Sequence, residues 1–211
     1  MKVLSVNIGK RKKIQWKNKT VETGIYKKPV DMAIFLGAED VEDDHVVDRK
    51  HHGGKDMAVY AYTKNHYAYF QKLYPEITFY NGIFGENLTL SNLFETEVQI
   101  GDIFQIGEAI IQVSQPRFPC FKLGLVFGTQ KIVKQFLNSS YCGFYFRVLQ
   151  KGNVQKNDPI ILIEKAKNSM TVAETYSLYT SNRTNKPLIN KALELTFLAE
   201  KCKAHFKRKL L

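Results

Sequence analysis

The chain has 211 residues, 44% of them hydrophobic and 24% charged, and a formal net charge of +11, enough to bury one sizeable core with an appendage but short for two full domains. No apolar run is long enough to cross a bilayer, and the irregularly spaced Cys120, Cys142 and Cys202 fit reduced thiols in a cytoplasmic protein better than a disulfide framework. The charge suggests nucleic acid, but the excess cations fall in residues 10–19 and around Lys201, Lys203, Lys207, Arg208 and Lys209 without forming a recognition helix or an aromatic-interleaved strand. They read as solvated surface, against a nucleic-acid partner.

Met1 to Ile8 is too short an apolar run for a signal peptide, and the basic cluster Lys10-Arg11-Lys12-Lys13 follows it instead of preceding it; Lys2 to Ile8, with Leu4, Val6 and Ile8 on one face, reads as a strand. Residues 13–16 and 20–25 flank the turn-like Lys17-Asn18-Lys19 as a hairpin. Further strands are expected at 32–36, 58–62, 87–90, 98–100, 103–106, 109–114, 144–149 and 160–164, with helices at 64–73 behind Thr63 and at 130–137 behind Thr129. Many short strands separated by glycine and aspartate imply a closed barrel or sandwich rather than a parallel sheet. After residue 165 the period turns helical. Thr171 and Glu174 have capping-box spacing, Pro187 suits a first helical turn, and Leu193, Phe197, Leu198 and Phe206 recur at helical intervals. The expected fold is mainly β with α, residues 1–165 forming a β domain and 166–211 a small helical domain.

Within this frame, Ser114-Gln115-Pro116-Arg117-Phe118-Pro119-Cys120-Phe121-Lys122-Leu123 places a thiol between two prolines and two cations. The prolines predict a stiff, strand-like ribbon. Arg117 and Lys122 favour the thiolate, the form that attacks substrates or binds metals, whereas the plainer reading makes Cys120 a small buried hydrophobe. In His51-His52-Gly53-Gly54 the paired glycines can reach positive φ and hold an anion on successive amides, or simply make a tight turn. Two adjacent histidines alone do not make a zinc site.

These segments, taken with Thr23-Gly24-Ile25-Tyr26-Lys27-Lys28-Pro29-Val30, Asp48-Arg49-Lys50-His51-His52-Gly53-Gly54-Lys55-Asp56, Phe84-Gly85-Glu86-Asn87-Leu88-Thr89, Ile100-Gly101-Asp102 and Gly143-Phe144-Tyr145-Phe146-Arg147-Val148-Leu149, resemble in order and spacing the MOSC domains, specifically their YiiM-type subgroup. The resemblance implies a MOSC-type β-barrel domain followed by a short C-terminal helical domain. It also implies the pyranopterin molybdenum cofactor, its metal bound to the pterin dithiolene and to a protein cysteine. Cys120 matches the metal-ligand position. Lys27, Arg49, His52, Gly53, Gly54, Asn87, Gln115, Arg117 and Arg147 match positions around the cofactor or the reaction cavity, with Asp48 orienting Arg49 and a structural salt bridge as the other reading of Arg147. Pyridoxal phosphate binding is left open.

The activity implied is reduction of N-hydroxylated compounds such as hydroxylamine-type base analogues, a detoxification, with Cys120 and His52 catalytic and a proton reaching the substrate through His52 or water. The chain has no dinucleotide fingerprint and no cysteine cluster for an iron–sulfur centre, so a separate flavin or haem reductase is the expected electron donor. The alternative is a non-catalytic carrier of the cofactor or of sulfur. Met57, Tyr60 and Ala61 depart from the polar positions that familiar members show after the glycine turn, and Cys142 and Cys202 read as packed and inert.

Overall fold

The computed structural model describes residues 1–47, 49 and 52–210. Its strands are β1 (Val3–Ile8), β2 (Lys12–Trp16), β3 (Lys19–Thr23), β4 (Lys28–Val30), β5 (Ile34–Leu36), β6 (Val59–Thr63), β7 (Leu88–Leu90), β8 (Ile103–Ile106), β9 (Ala109–Pro116), β10 (Phe144–Gln150), β11 (Gly152–Val154) and β12 (Ile160–Glu164). The helices are α1 (Tyr67–Leu73), α2 (Phe121–Val126), α3 (Lys131–Ser139), α4 (Val172–Ser177), α5 (Lys186–Glu194) and α6 (Glu200–Lys207), with single 3-10 turns at Lys55–Met57 and Lys64–His66.

Eight strands form one mixed sheet in the order β12-β8-β9-β10-β6-β7-β1-β4, while β2–β3 and β11–β5 make separate two-stranded pairs. Its pairings are antiparallel except β6 with β7. The expected closed barrel is not found among the described residues, because the ladder ends at β12 and β4. The start of β1 nevertheless reaches the segment before β12: Lys2 bridges Pro159, and Val3 N donates to Asp158 O at 3.0 Å. On the other side of that bridge Ile160 N donates to Met1 O at 3.2 Å.

Most element positions agree with the sequence reading, and the differences are local. Residues 98–100 form no strand; Gln99 makes one bridge, to Thr171. The short strands β4 and β11 were not expected. The proline-bordered ribbon ends earlier than anticipated, since α2 begins at Phe121 directly after Cys120. Thr63 precedes a 3-10 turn without capping it, and its hydroxyl donates instead to Leu93 O. The Thr171–Glu174 capping box does form, with Glu174 N donating to Thr171 Oγ1 at 3.1 Å and Thr171 N to Glu174 Oε2 at 2.8 Å.

One hydrophobic cluster runs from the sheet into the C-terminal helices, joining Val6, Tyr62, Phe84, Phe136, Tyr176 and Phe206. Its aromatic centre is tight, with the rings of Tyr62 and Phe84 4.5 Å apart. No helix among the described residues is long and apolar enough to cross a membrane.

Candidate functional site

Three structural devices converge on one cavity. The first is the Cys120 ribbon. β9 is held on both sides by β8 and β10 and releases the chain at Pro116, so Arg117 to Cys120 leave the sheet as an irregular strip before α2. Phe118 clamps the strip by stacking on Tyr176 of α4 at 5.6 Å and on Tyr179 at 4.2 Å. The C-terminal helices thereby help fix the position of the thiol.

The second device is the turn at 82–87. Glu86 is fully buried and accepts from Gly82 N (2.8 Å), Phe84 N (3.1 Å), Thr89 Oγ1 (2.9 Å) and the Tyr67 hydroxyl. Burial raises its carboxyl above the usual value, although these donors pull the other way. The turn it organises places Phe84, Gly85 and Asn87 in the cavity wall.

Asp44 is the third. Its Oδ1 accepts from Gly9 N at 2.8 Å, and its Oδ2 accepts from Asn87 Nδ2 at 3.1 Å and from Lys27 Nζ. The Lys27 and Asp44 side chains are 9% and 2% exposed, so the Lys27 charge is spent inside the protein.

The resulting cavity encloses about 100 Å³ and is lined by Lys27, Asp44, His52, Gly53, Tyr60, Asn87, Arg117, Cys120, Lys122 and Tyr145 among others. Arg117 is 5% exposed. Its Nη2 reaches only Phe84 O at 3.5 Å, its Nη1 is buried without a partner, and its guanidinium lies 4.8 Å from the Phe136 ring and 5.4 Å from the Tyr60 ring. No carboxylate pairs with it among the described residues. Lys122, also buried, has no ion-pair partner among them either. A guanidinium cannot shed its proton, and a buried cation left uncompensated costs several kcal/mol. The cavity is therefore built to receive negative charge.

Of the positions that the family resemblance assigns to the site, Lys27, His52, Gly53, Asn87, Arg117 and Cys120 share this cavity. Arg49, Gly54, Gln115 and Arg147 do not line it. Arg49 is 54% exposed and pairs with Asp40 and, at 3.8 Å, with Glu39. Gly53 and Gly54 both have positive φ, +78° and +81°, as expected, but Gly54 N donates to Glu39 O at 3.2 Å, so that amide is not free for an anion. The paired-amide nest does not form there. Gln115 is buried with its Oε1 unpartnered and stands outside the lining. Arg147 donates from Nε to Asp56 Oδ1 and from Nη1 to Gln112 Oε1, both at 2.8 Å, and from Nη2 to Phe197 O at 3.3 Å, tying the C-terminal segment to the sheet. Asp48, Lys50 and His51 lie outside the described residues, and with them the expected pairing of Asp48 with Arg49.

Two cavity groups escaped the sequence reading. Asp44 sits in the acidic run Glu42-Asp43-Asp44, which looks like solvated charge. Only the fold brings it to Lys27 and Asn87. Tyr145 faces Tyr60 across the β10–β6 pairing, their rings 5.2 Å apart. Tyr26, Tyr60, Tyr62, Tyr67, Tyr74 and Tyr176 each give their hydroxyl to a protein oxygen, but Tyr145 has no such bond among the described residues. Burial keeps its phenol above the usual value, with Cys120 and Asp44 adding to the rise and Arg117 opposing it. It is a protonated, unspent donor in the cavity wall.

The other thiols are closed off. Cys142 is fully buried, and burial pushes its thiol well up; Cys202 is pushed to about 12 by the same cause. No group of three or more His, Cys, Asp or Glu that could hold a metal ion occurs among the described residues.

A family model described as MOSC domain matches residues 48–161. An uncharacterized protein, YflK, of Bacillus subtilis is 37% identical over 98% of this chain and 93% of its own length. Protein YiiM of Escherichia coli is 37% identical over 74% of this chain and 70% of its own length. A protein named reductase from Gibberella moniliformis is 36% identical over 69% of this chain, which spans 26% of that protein. Among solved structures, YiiM from Geobacillus stearothermophilus superposes with a TM-score of 0.85 at 32% identity, covering 100% of this chain and 99% of that one.

Proposed function

We propose, because this chain belongs to the MOSC domain family and within it to the YiiM-type proteins, that it is an oxidoreductase that reduces N-hydroxylated compounds with the molybdenum cofactor. One observation carries the reading: the buried, uncompensated Arg117 shares a cavity with the accessible thiol of Cys120. The relative named reductase is consistent with redox chemistry on this domain. We read residues 1–165 as the MOSC unit and 166–211 as an appended helical unit.

The donor set fits the cofactor. Cys120 offers a soft sulfur, and Arg117 and Lys122 offer cations for a phosphate. An enclosed volume of about 100 Å³ is below the ~300–1,000 Å³ of pockets that take up a whole ligand, so it suits the reacting end of a larger group. When bound, the cofactor supplies two-electron chemistry at the nitrogen–oxygen bond. Arg117 and Lys122 hold negative charge at the cavity. Phe84, Phe118 and Tyr60 exclude water. The Tyr145 hydroxyl and His52, both in the cavity lining, would give a proton to the departing oxygen, and Asp44 holds Lys27 and Asn87 in position.

Production in a host that makes the cofactor tests this reading, with molybdenum analysis and turnover of an N-hydroxylated base driven by reduced methyl viologen. Stoichiometric metal with turnover is expected. Metal without turnover would favour a carrier of the cofactor, and neither metal nor turnover would end the proposal.

A further inference from the structure

The β2–β3 hairpin stands apart from the main sheet as a two-stranded ladder of its own. It carries Lys12, Lys13, Lys17 and Lys19, all exposed, and follows the exposed Lys10 and Arg11. Glu22 is the lone acid on the two strands and already serves both Arg11 (3.4 Å) and Lys13 (3.8 Å). Of the remaining cations, Lys12 and Lys17 rest on aromatic rings instead of acids. Lys12 lies 4.8 Å from the Tyr26 ring, Lys17 5.5 Å from Trp16, and neighbouring Lys28 3.3 Å from Tyr80. A ring face fixes a cation without neutralising it, so the hairpin presents held, uncompensated positive charge.

This surface borders the cavity. Trp16 stacks on Phe121, the residue after Cys120, at 5.4 Å. The Tyr26 hydroxyl donates to Leu125 O of α2 at 3.3 Å, and Thr23 and Ile25, at the end of the hairpin, line the cavity itself. A protein seated on the hairpin therefore lies against the element that carries Cys120.

We propose that the β2–β3 hairpin is the docking site for the acidic face of a small flavin-carrying electron-transfer protein. The inference rests on the reductase reading. Reduction of R–NHOH to R–NH2 and water breaks the nitrogen–oxygen bond and consumes two electrons and two protons; the flavoprotein supplies the electrons, and solvent supplies the protons through the cavity donors. Opposite charges accelerate such encounters and orient them, with an effect that salt screens.

The test compares wild type with Lys12→Glu/Lys13→Glu/Lys17→Glu, using a small acidic FMN protein as electron donor and reduced methyl viologen as a donor that needs no docking. Viologen-driven turnover is expected to stay within about twofold. FMN-protein-driven turnover should fall at least about tenfold at low salt, and the variant should lose the steep salt dependence of the wild type. Equilibrium binding of the oxidised FMN protein to the metal-free chain reads docking independently of turnover, so absence of viologen-driven turnover would count against the reductase reading alone. Equal FMN-protein affinity in wild type and variant would overturn the docking site. So would tighter binding of duplex DNA than of the FMN protein at the same salt, lost in the variant. Lys→Gln at the same three positions, with an unchanged melting temperature, should give an intermediate loss and shows that charge is being read.

Discussion

Lys27 gives its charge to Asp44 in the cavity wall, whereas Arg117, in the same wall, has no acid among the described residues to receive its own. This asymmetry sets how much negative charge the cavity accepts. Asp44→Asn should leave Lys27 buried and uncompensated and cost about 3 kcal/mol of stability in the absence of a bound anion. Inorganic phosphate should then stabilise the variant more than the wild type, because binding to the folded state raises its melting temperature by mass action. Thermal unfolding at 0 and 20 mM phosphate checks both. A larger phosphate effect in the wild type would show that Asp44 does not hold the balance.

Thiol labelling separates Cys120 from its two companions. Cys120 is partly accessible, while Cys142 and Cys202 are buried and their thiols are pushed up by that burial. A brief treatment with iodoacetamide at pH 8 should modify Cys120 alone in the folded protein, as read by peptide mass spectrometry. Cys120→Ser should remove turnover and most tightly held molybdenum and leave the fold intact, because a serine hydroxyl is a harder and far less acidic ligand. Cys142→Ser and Cys202→Ser should keep activity, while Cys142→Ser loses about 1–3 kcal/mol by burying a hydroxyl in an apolar place. Preferential labelling of Cys142 would contradict the assignment.

What could be read from the sequence follows the range of the interactions. The strands and the C-terminal helices announce themselves because period-two and helical patterns are local, and so does the Thr171 capping box. The Cys120 ribbon also declares its thiol through neighbours in the chain. Asp44 does not, because its meaning comes from residues 17 and 43 positions away, Lys27 and Asn87. Arg147 takes the second of its two sequence readings, the structural salt bridge, here with Asp56. Its block resembles a site segment, yet Asp56, Gln112 and Phe197 consume its donors, and no local pattern names those partners. The open ladder near Pro159 likewise depends on where two distant chain segments meet.

Tyr145→Phe removes one oxygen that has no protein partner among the described residues and should leave the melting temperature and the molybdenum content unchanged. Loss of a positioned proton donor typically costs on the order of a hundredfold or more in rate. A fall in kcat of about that size, with KM nearly constant and a changed dependence of kcat on pH, is the expected result. Tyr60→Phe, whose hydroxyl is bonded to Cys142 O at 3.0 Å, should instead lower stability by about 1 kcal/mol. If Tyr145→Phe matches the wild type in kcat and pH profile, the phenol is not the donor and His52 takes the role alone.

Glu86 gives the clearest pH signature of the site's scaffold. Its folded-state pKa lies above the ordinary 4.5, with burial the main cause. The folded protein thus binds this proton more tightly than the unfolded chain does. The associated stability is fully present below the unfolded value of 4.5 and is lost as pH rises through the raised folded value. Glu86→Gln removes that titration. It also turns a four-donor acceptor into an amide whose NH2 faces Gly82 N, Phe84 N, Thr89 or Tyr67, so the variant should be less stable throughout. The stability difference between wild type and Glu86→Gln should shrink steadily as pH is raised above 4.5, in urea unfolding measured at half-unit steps to pH 8. A difference that grows with pH would mean that the buried carboxylate is favoured by its four donors over its own desolvation, and the sign assigned to Glu86 would be wrong.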